Sequence, residues 1–226
     1  LIYFWSPLII KETFNSTHLD IIGISLLTGS IYFLLCHRHK LATLFLAFGF
    51  LGKLYPVILL PLYLKACHEK MTKVGKKSRL TLFGNIGLFI GVVVLGYLPF
   101  MGIGLQMFDG LKTFTLYWQN NDSIFAILVF IFQTVSGELA NESISHNPLP
   151  IFLSKVTVSL VLIGALFRLL YKETSLLEQP VEFVRGLFWI MALVFLLSPV
   201  QNPWYLCWVV PFLCVFPARS WIALTG

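Results

Sequence analysis

Apolar residues fill this chain in long blocks separated by short polar stretches. Blocks 18–35, 80–104, 149–171, 183–199 and 203–217 are nearly continuous. About 20 apolar residues cross a bilayer as a helix, so each block reads as a membrane span, the last being short and following Pro203. None shows the alternation of a strand, and hydrocarbon offers no partner to an unpaired backbone group, so helix is the expected form. Two further segments are ambiguous. Segment 41–64 carries Lys53 in mid-run, then Tyr55-Pro56 and Pro61. Segment 124–135 is strongly apolar but too short to span as a straight helix. The expected fold is all-α: a polytopic transmembrane helical bundle with broken or re-entrant helices, forming one transmembrane domain over 1–226.

Composition agrees with lipid as the solvent. Hydrophobic residues make up 58% and charged residues 12%, where a soluble domain carries about 25% charged. The net charge of +6 would suggest nucleic acid in a soluble protein. Here the basic residues sit in short loops between apolar runs, which makes them topology signals and removes nucleic acid as a partner. Loop 36–40 reads CHRHK, and loop 65–79 holds six Lys or Arg against one Glu. With Arg168, Lys172 and Arg185 these are expected on the cytoplasmic side. The neutral-to-acidic loops 105–123, 136–148 and 198–202 are expected outside. Both basic loops flank 41–64, so one simple crossing cannot leave them on the same side. A break near Gly52–Pro56 removes the conflict, because Pro56 lacks an N–H and disfavours helix at Tyr55. The same reasoning makes 124–135 re-entrant. The chain opens Leu1-Ile2-Tyr3-Phe4-Trp5 without an initiator Met and is read as a fragment that begins inside or just after a span. The four cysteines show no CxxC or metal spacing and read as packing residues.

On this topology three polar stretches share the outer face: 11–20 (KETFNSTHLD), 118–123 (WQNNDS) and 198–205 (SPVQNPWY). In the first, Lys11, Glu12, His18 and Asp20 form an acid/base or phosphate-binding cluster, or else Asp20 simply serves the N-terminus of the following helix. Lys53 within an apolar run costs about 2.5–3.5 kcal/mol on insertion. Such a residue faces a cavity and meets an anion, a lipid phosphate being suitable, or it snorkels to the interface. In the second stretch Trp118, Asn121 and Asp122 combine an aromatic face with amide and carboxylate groups, the chemistry of a sugar site. An interfacial aromatic and a helix cap are the plainer readings. In the third, Gln201, Asn202 and Tyr205 lie in a proline-bracketed turn that on its own reads as a turn with an aromatic belt. No nucleotide-binding glycine loop, GxSxG or HExxH is present.

These stretches in this order carry a resemblance. SPLIIKETFNSTHLD, GFLGKLYPVILLP, YWQNNDSIF and SPVQNPWYLCWVVPFL resemble motifs of the membrane-embedded GT-C glycosyltransferases that use polyprenyl-phosphate sugars. The likeness is greatest to the group of the GPI mannosyltransferase I catalytic subunit and its bacterial and archaeal polyprenyl-phosphate-mannose-dependent relatives. Asn202 departs from the His often found at its position in that group. The resemblance implies a GT-C-like bundle that moves a hexose, mannose above all, with inversion, from a polyprenyl-phosphate donor to a lipid or glycan acceptor on the non-cytoplasmic face. It implies a catalytic Asp upstream of residue 1. Donor and substrate contacts then fall to Lys53, Lys11, Glu12, His18, Asp20, Trp118, Asn121, Asp122, Gln201, Asn202 and Tyr205. Beyond the donor and membrane lipids, a small accessory membrane subunit and a divalent metal stay open. The membrane is the plasma (inner) membrane in a prokaryote and the endoplasmic reticulum in a eukaryote. The alternative is a transporter or flippase of a lipid-linked or anionic substrate, for which broken helices and a buried Lys are equally suited. A non-catalytic assembly subunit has no positive sign.

Overall fold

The computed structural model describes residues 2–75, 78–120, 123–136, 149–172, 175 and 178–225. It is mostly helical, and among the described residues there is no strand, only one isolated bridge between Asn120 and Val200. A helical turn α1 (Pro7–Ile9) continues as a π-helix, Ile10–Asn15. Thr17 then takes a left-handed φ of 54° and turns the chain into α2 (Asp20–Leu35). α3 (His39–Gly52) returns along α2. The pair meets at glycines: the positions a Cβ would take on Gly49 and Gly52 lie 3.6–3.8 Å from the Gly23 backbone. Small residues let two backbones approach this closely.

The break expected near Gly52–Pro56 is present, and it falls at Lys53. Lys53 is extended (φ −159°, ψ 139°), and its N–H still donates to Gly49 O at 2.9 Å. Pro56 lies in the first turn of a 3₁₀ helix, Tyr55–Leu59, where a missing N–H breaks no bond. α4 (Leu60–Lys73) follows, then α5 (Ser78–Tyr97), which tightens into a 3₁₀ stretch, Leu98–Phe108, kinked at Gly104. α6 (Asp109–Tyr117), α7 (Ser123–Val135) and α8 (Leu149–Tyr171) come next.

Among the described residues, two helical stretches, Arg79–Leu116 and Leu149–Tyr171, are long and apolar enough to cross a membrane. Both turn large apolar side chains outward, among them Phe83, Ile90 and Leu95, and Phe152, Leu160 and Phe167.

The core lies around α9 (Pro180–Leu196), where Leu187, Phe188, Ile190, Met191 and Ala192 are buried. Each large apolar side chain fully buried contributes about 1.5–3 kcal/mol. The segment after α9 differs from the expected span over 203–217. It forms a 3₁₀ helix, Pro203–Trp208, one turn of α10 (Val210–Leu213), and then a turn before α11 (Arg219–Leu224). Pro203, Pro211 and Pro217 deny it a continuous ladder of N–H donors. Its apolar residues are buried all the same: Trp208, Val209, Val210 and Leu213 are sealed inside the protein. High hydropathy here reflects the protein core, and not a straight crossing.

Lysines close two helix ends. Lys155, on α8, donates to the carbonyls of Thr115 and Leu116 at the C-terminus of α6. Lys65, on α4, donates to Leu169 O (3.1 Å) and Lys172 O (2.6 Å) where α8 ends. A cation suits both places, because carbonyls and the negative end of the helix dipole collect there.

Candidate functional site

Asp20 and Lys53 form the centre of the site. Asp20 is the first residue of α2, but the N-cap is Leu19, and no side chain caps the helix. The plain capping role for Asp20 is therefore replaced by another. One carboxylate oxygen, Oδ2, accepts from Lys53 Nζ at 3.1 Å, and the other, Oδ1, accepts from the Trp208 indole N–H at 2.8 Å. The carboxylate is buried, while about a third of the Lys53 side chain (29%) remains open. Lys53 Nζ also stands 4.7 Å over the ring of Tyr205, a cation–π contact worth about 0.5–2 kcal/mol. The break after Gly52 makes this possible: an extended residue can point its side chain across to α2, whereas a helical one would follow the α3 surface.

A second pair adjoins the first through a row of rings. Glu12 is nearly fully buried in the π-helix, with His18 Nε2 at 3.4 Å and Lys11 Nζ at 3.6 Å. The His18 ring stacks on Trp204 at 4.0 Å. Trp204 meets Tyr205 edge-on at 5.9 Å, and Tyr205 underlies Lys53. Tyr55 packs edge-on against Tyr205 and Trp208 and hydrogen-bonds with Tyr205. Of Lys11, Glu12, His18 and Asp20 in the first polar stretch, Lys11 is largely exposed and the other three are turned inward.

The polar stretches around 118–123 and 198–205 also meet. Asn120 N–H donates to Pro199 O (3.0 Å), Gln201 N–H donates to Asn120 O (2.9 Å), and Asn120 Nδ2 reaches Asn202 Oδ1 at 3.4 Å. All three stretches thus converge on 198–208. Gln201 gives its side-chain amide to Leu196 O at 2.8 Å, a turn contact. Trp118 is exposed and packs on Phe114 in place of covering the Lys53–Asp20 pair. Asn121 and Asp122 lie outside the described residues.

Two cavities flank the cluster. One of about 460 Å³ is lined by Ser123, Gln201, Asn202, Tyr205 and apolar neighbours. The other, about 640 Å³, is almost wholly apolar and runs between Tyr3, Phe14, Ile21, Ile24 and Pro211. Ligand sites commonly occupy about 300–1,000 Å³. Among the described residues no three His, Cys, Asp or Glu converge as metal ligands.

Sequence reasoning did not assign Trp208, Trp204 or Tyr55 to the site. The signal available was spacing: Trp204, Tyr205 and Trp208 recur at one helical turn beside the prolines. Their partners lie far away in sequence, so spacing alone could not say what they touch.

Residues 147–225 match a family model described as the MptB C-terminal domain. No curated protein and no solved structure matches the chain.

Proposed function

We propose that the protein is a multi-pass membrane glycosyltransferase that transfers mannose from a polyprenyl-phosphate donor to a lipid or glycan acceptor. The observation that carries this reading is that the segment matching the MptB C-terminal domain holds the rings packed against Asp20, Lys53 and His18. MptB is a polyprenol-phosphate-mannose-dependent mannosyltransferase.

The family resemblance implies the reaction, and the residues are assigned to it as follows. The acceptor hydroxyl oxygen attacks the anomeric carbon, the bond from that carbon to the phosphate oxygen breaks, and polyprenyl phosphate leaves with the electron pair. Attack from the far face inverts the centre. Lys53 is the group that meets the charge developing on the leaving phosphate. Asp20 holds it in place until the donor arrives. The acceptor proton goes to a general base. The family resemblance implies an Asp as that base, while Glu12 and His18 supply a carboxylate–imidazole pair beside the site, its carboxylate buried. The cavity lined by Asn202, Gln201 and Ser123 offers amide and hydroxyl groups to a sugar, and the apolar cavity suits the isoprenoid tail. The spans and their outward apolar faces keep that tail in hydrocarbon, with the site on the non-cytoplasmic side. Transport of the same lipid is the second reading, favoured by the broken backbone at Lys53.

The test is to incubate membranes containing the full-length protein with radiolabelled polyprenyl-phosphate mannose. Labelled mannose should reach a lipid or glycan acceptor, and Lys53→Met should cut the rate about 100-fold or more. Absence of transfer beside a working control enzyme overturns the proposal. Intact donor crossing a sealed bilayer without transfer would point to transport.

A further inference from the structure

α5 (Ser78–Tyr97) has 20 residues, which at 1.5 Å each reach about 30 Å, the depth of a bilayer's hydrocarbon. The apolar run does not end there. Arg79–Leu116 is one helical stretch of 38 residues, too long for a single straight crossing. The surplus begins with the 3₁₀ stretch Leu98–Phe108, which reads LPFMGIGLQMF and has Gln106 as its one polar side chain.

This stretch is a closed loop. If straight, its 11 residues would cover about 22 Å as 3₁₀ helix. Instead the rings of Tyr97 and Phe108, at its two ends, lie 5.7 Å apart. The helical path breaks at Gly104, whose φ of 60° favours glycine. The chain beyond the loop is held as well. Lys155 of α8 clamps the end of α6, and Asn120 pairs with Pro199 and Gln201.

Among the described residues nothing covers the loop. Leu98, Phe100, Met101, Ile103 and Leu105 are 53–83% exposed, and no residue of 98–108 is buried. A Cβ added at Gly102 or Gly104 would meet nothing within 4 Å. A contiguous apolar surface of this kind marks a membrane or a protein partner.

The order of residue types selects the membrane. The tip is apolar, the rings of Tyr97 and Phe108 close the base, and the first charges, Asp109 and Lys112, come only on α6. Apolar, then aromatic, then charged is the order in which side chains meet a bilayer from its interior outward. The surface also continues the outward face of α5, where Phe83, Ile90, Val94 and Leu95 are exposed. A protein-binding patch carries a polar rim around its apolar centre; here the charges follow the loop on one side, at its base.

We propose that Leu98–Phe108 is a membrane-dipping loop, whose apolar tip inserts into the phospholipid leaflet at the C-terminal end of α5 without crossing it. The partner is the apolar zone of that leaflet, met by burial of side chains and not by recognition of a headgroup. The inserted loop and the Lys155 clamp then hold α6 at both ends. The loop shares no residue with the transferase site, and the inference rests only on the membrane character of the chain.

The test is spin labelling of the full-length protein in phosphatidylcholine nanodiscs, with its reactive native cysteines replaced. Nitroxides are attached singly at Met101→Cys and Leu105→Cys in the loop and at Lys112→Cys on α6, all exposed positions. Relaxation by oxygen, which concentrates in hydrocarbon, is compared with relaxation by a water-soluble nickel chelate. The oxygen-to-nickel collision ratio at 101 and 105 should exceed that at 112 by about tenfold or more, as for side chains about 5–10 Å into the headgroup and acyl boundary. If one loop variant fails to fold, the other gives the same reading. A loop ratio no higher than that at 112 overturns the proposal. Weak collision with both reagents at 101 and 105 overturns it too, by showing that a protein surface covers the loop.

Discussion

The indole N–H of Trp208 donates to Asp20 at 2.8 Å, joining positions 188 residues apart. With Lys53 on the other oxygen, both sides of one buried carboxylate are satisfied from separate elements. This contact holds the C-terminal segment against the start of α2 and fixes where Lys53 can sit.

Removing the indole donor leaves half of the carboxylate unpaired. Trp208→Phe keeps most of the ring volume and loses the hydrogen bond, and it should destabilise the protein by about 1.5–3 kcal/mol, the range for a bond to a charged group. Thermal unfolding in detergent checks this. Asp20→Asn in the same background should recover part of the loss, because the unpaired oxygen is then neutral; additive losses would sever the link between the two residues.

Lys53→Met strands the Asp20 charge. A fully buried pair broken on one side costs about 3–5 kcal/mol. Because the Lys53 side chain is about a third open, solvent screens the pair and about 1–3 kcal/mol is the expected loss. The double variant D20N/K53M should lose well less than the sum of the single losses in a double-mutant cycle.

Gly23 gives a steric test of the same contact. A Cβ there would lie 2.5 Å from Trp208 Cη2 and 2.9 Å from Cζ2, inside the packed core. Gly23→Ala should displace the indole and destabilise by about 1–3 kcal/mol, as overpacking does. Near-ultraviolet circular dichroism of the tryptophan bands should change with it.

Lys155→Met should release the end of α6 without unfolding α8. The lost charge-assisted bonds are worth about 1–3 kcal/mol, felt locally. Hydrogen exchange across 109–118 should accelerate while exchange in 155–170 stays within twofold.

The exposed Lys73–Glu178 pair, 2.8 Å apart, ties α4 to the start of the α9 region. The hydrogen bond and charge of Lys73 hold Glu178 below its usual carboxylate value. A carboxylate with a depressed folded-state value contributes stability above its unfolded value of 4.5 and loses it as pH falls through the folded value. Protection of the Gln179 amide, which donates to Ser175 O, should therefore drop in hydrogen exchange as pH falls below 4.5 in wild type, and the step should vanish in Glu178→Gln. Added salt should shrink it as well.

Legibility varied with the range of the forces involved. The break beside Lys53 was readable because glycine, proline and a misplaced charge are local signals acting on the backbone that bears them. Hydropathy reads 203–217 as a span because it measures transfer from water and is indifferent to the destination. Val209, Val210 and Leu213 are as apolar in a protein core as in lipid. For Asp20 the sequence leaves a binding cluster and a helix-terminal role both open, because the helix N-terminus is the one partner adjacent in sequence. Its real partners come from residues 53 and 208. Lys155 sits inside an apolar block, and only the end of α6 beside it explains its charge.

What the sequence determined by itself is the helical character, the apolar outward surface and the polar stretches that carry chemistry, since each follows from a residue and its near neighbours. What only the tertiary structure decided is which of those groups meet. Lys53 faces Asp20, His18 lies on Trp204, and Asn120 pairs with the turn at Val200. Those meetings depend on the close glycine crossing of α2 and α3 and on a proline-broken segment folded into the core. Both are packing outcomes summed over the whole chain, and no local pattern encodes them.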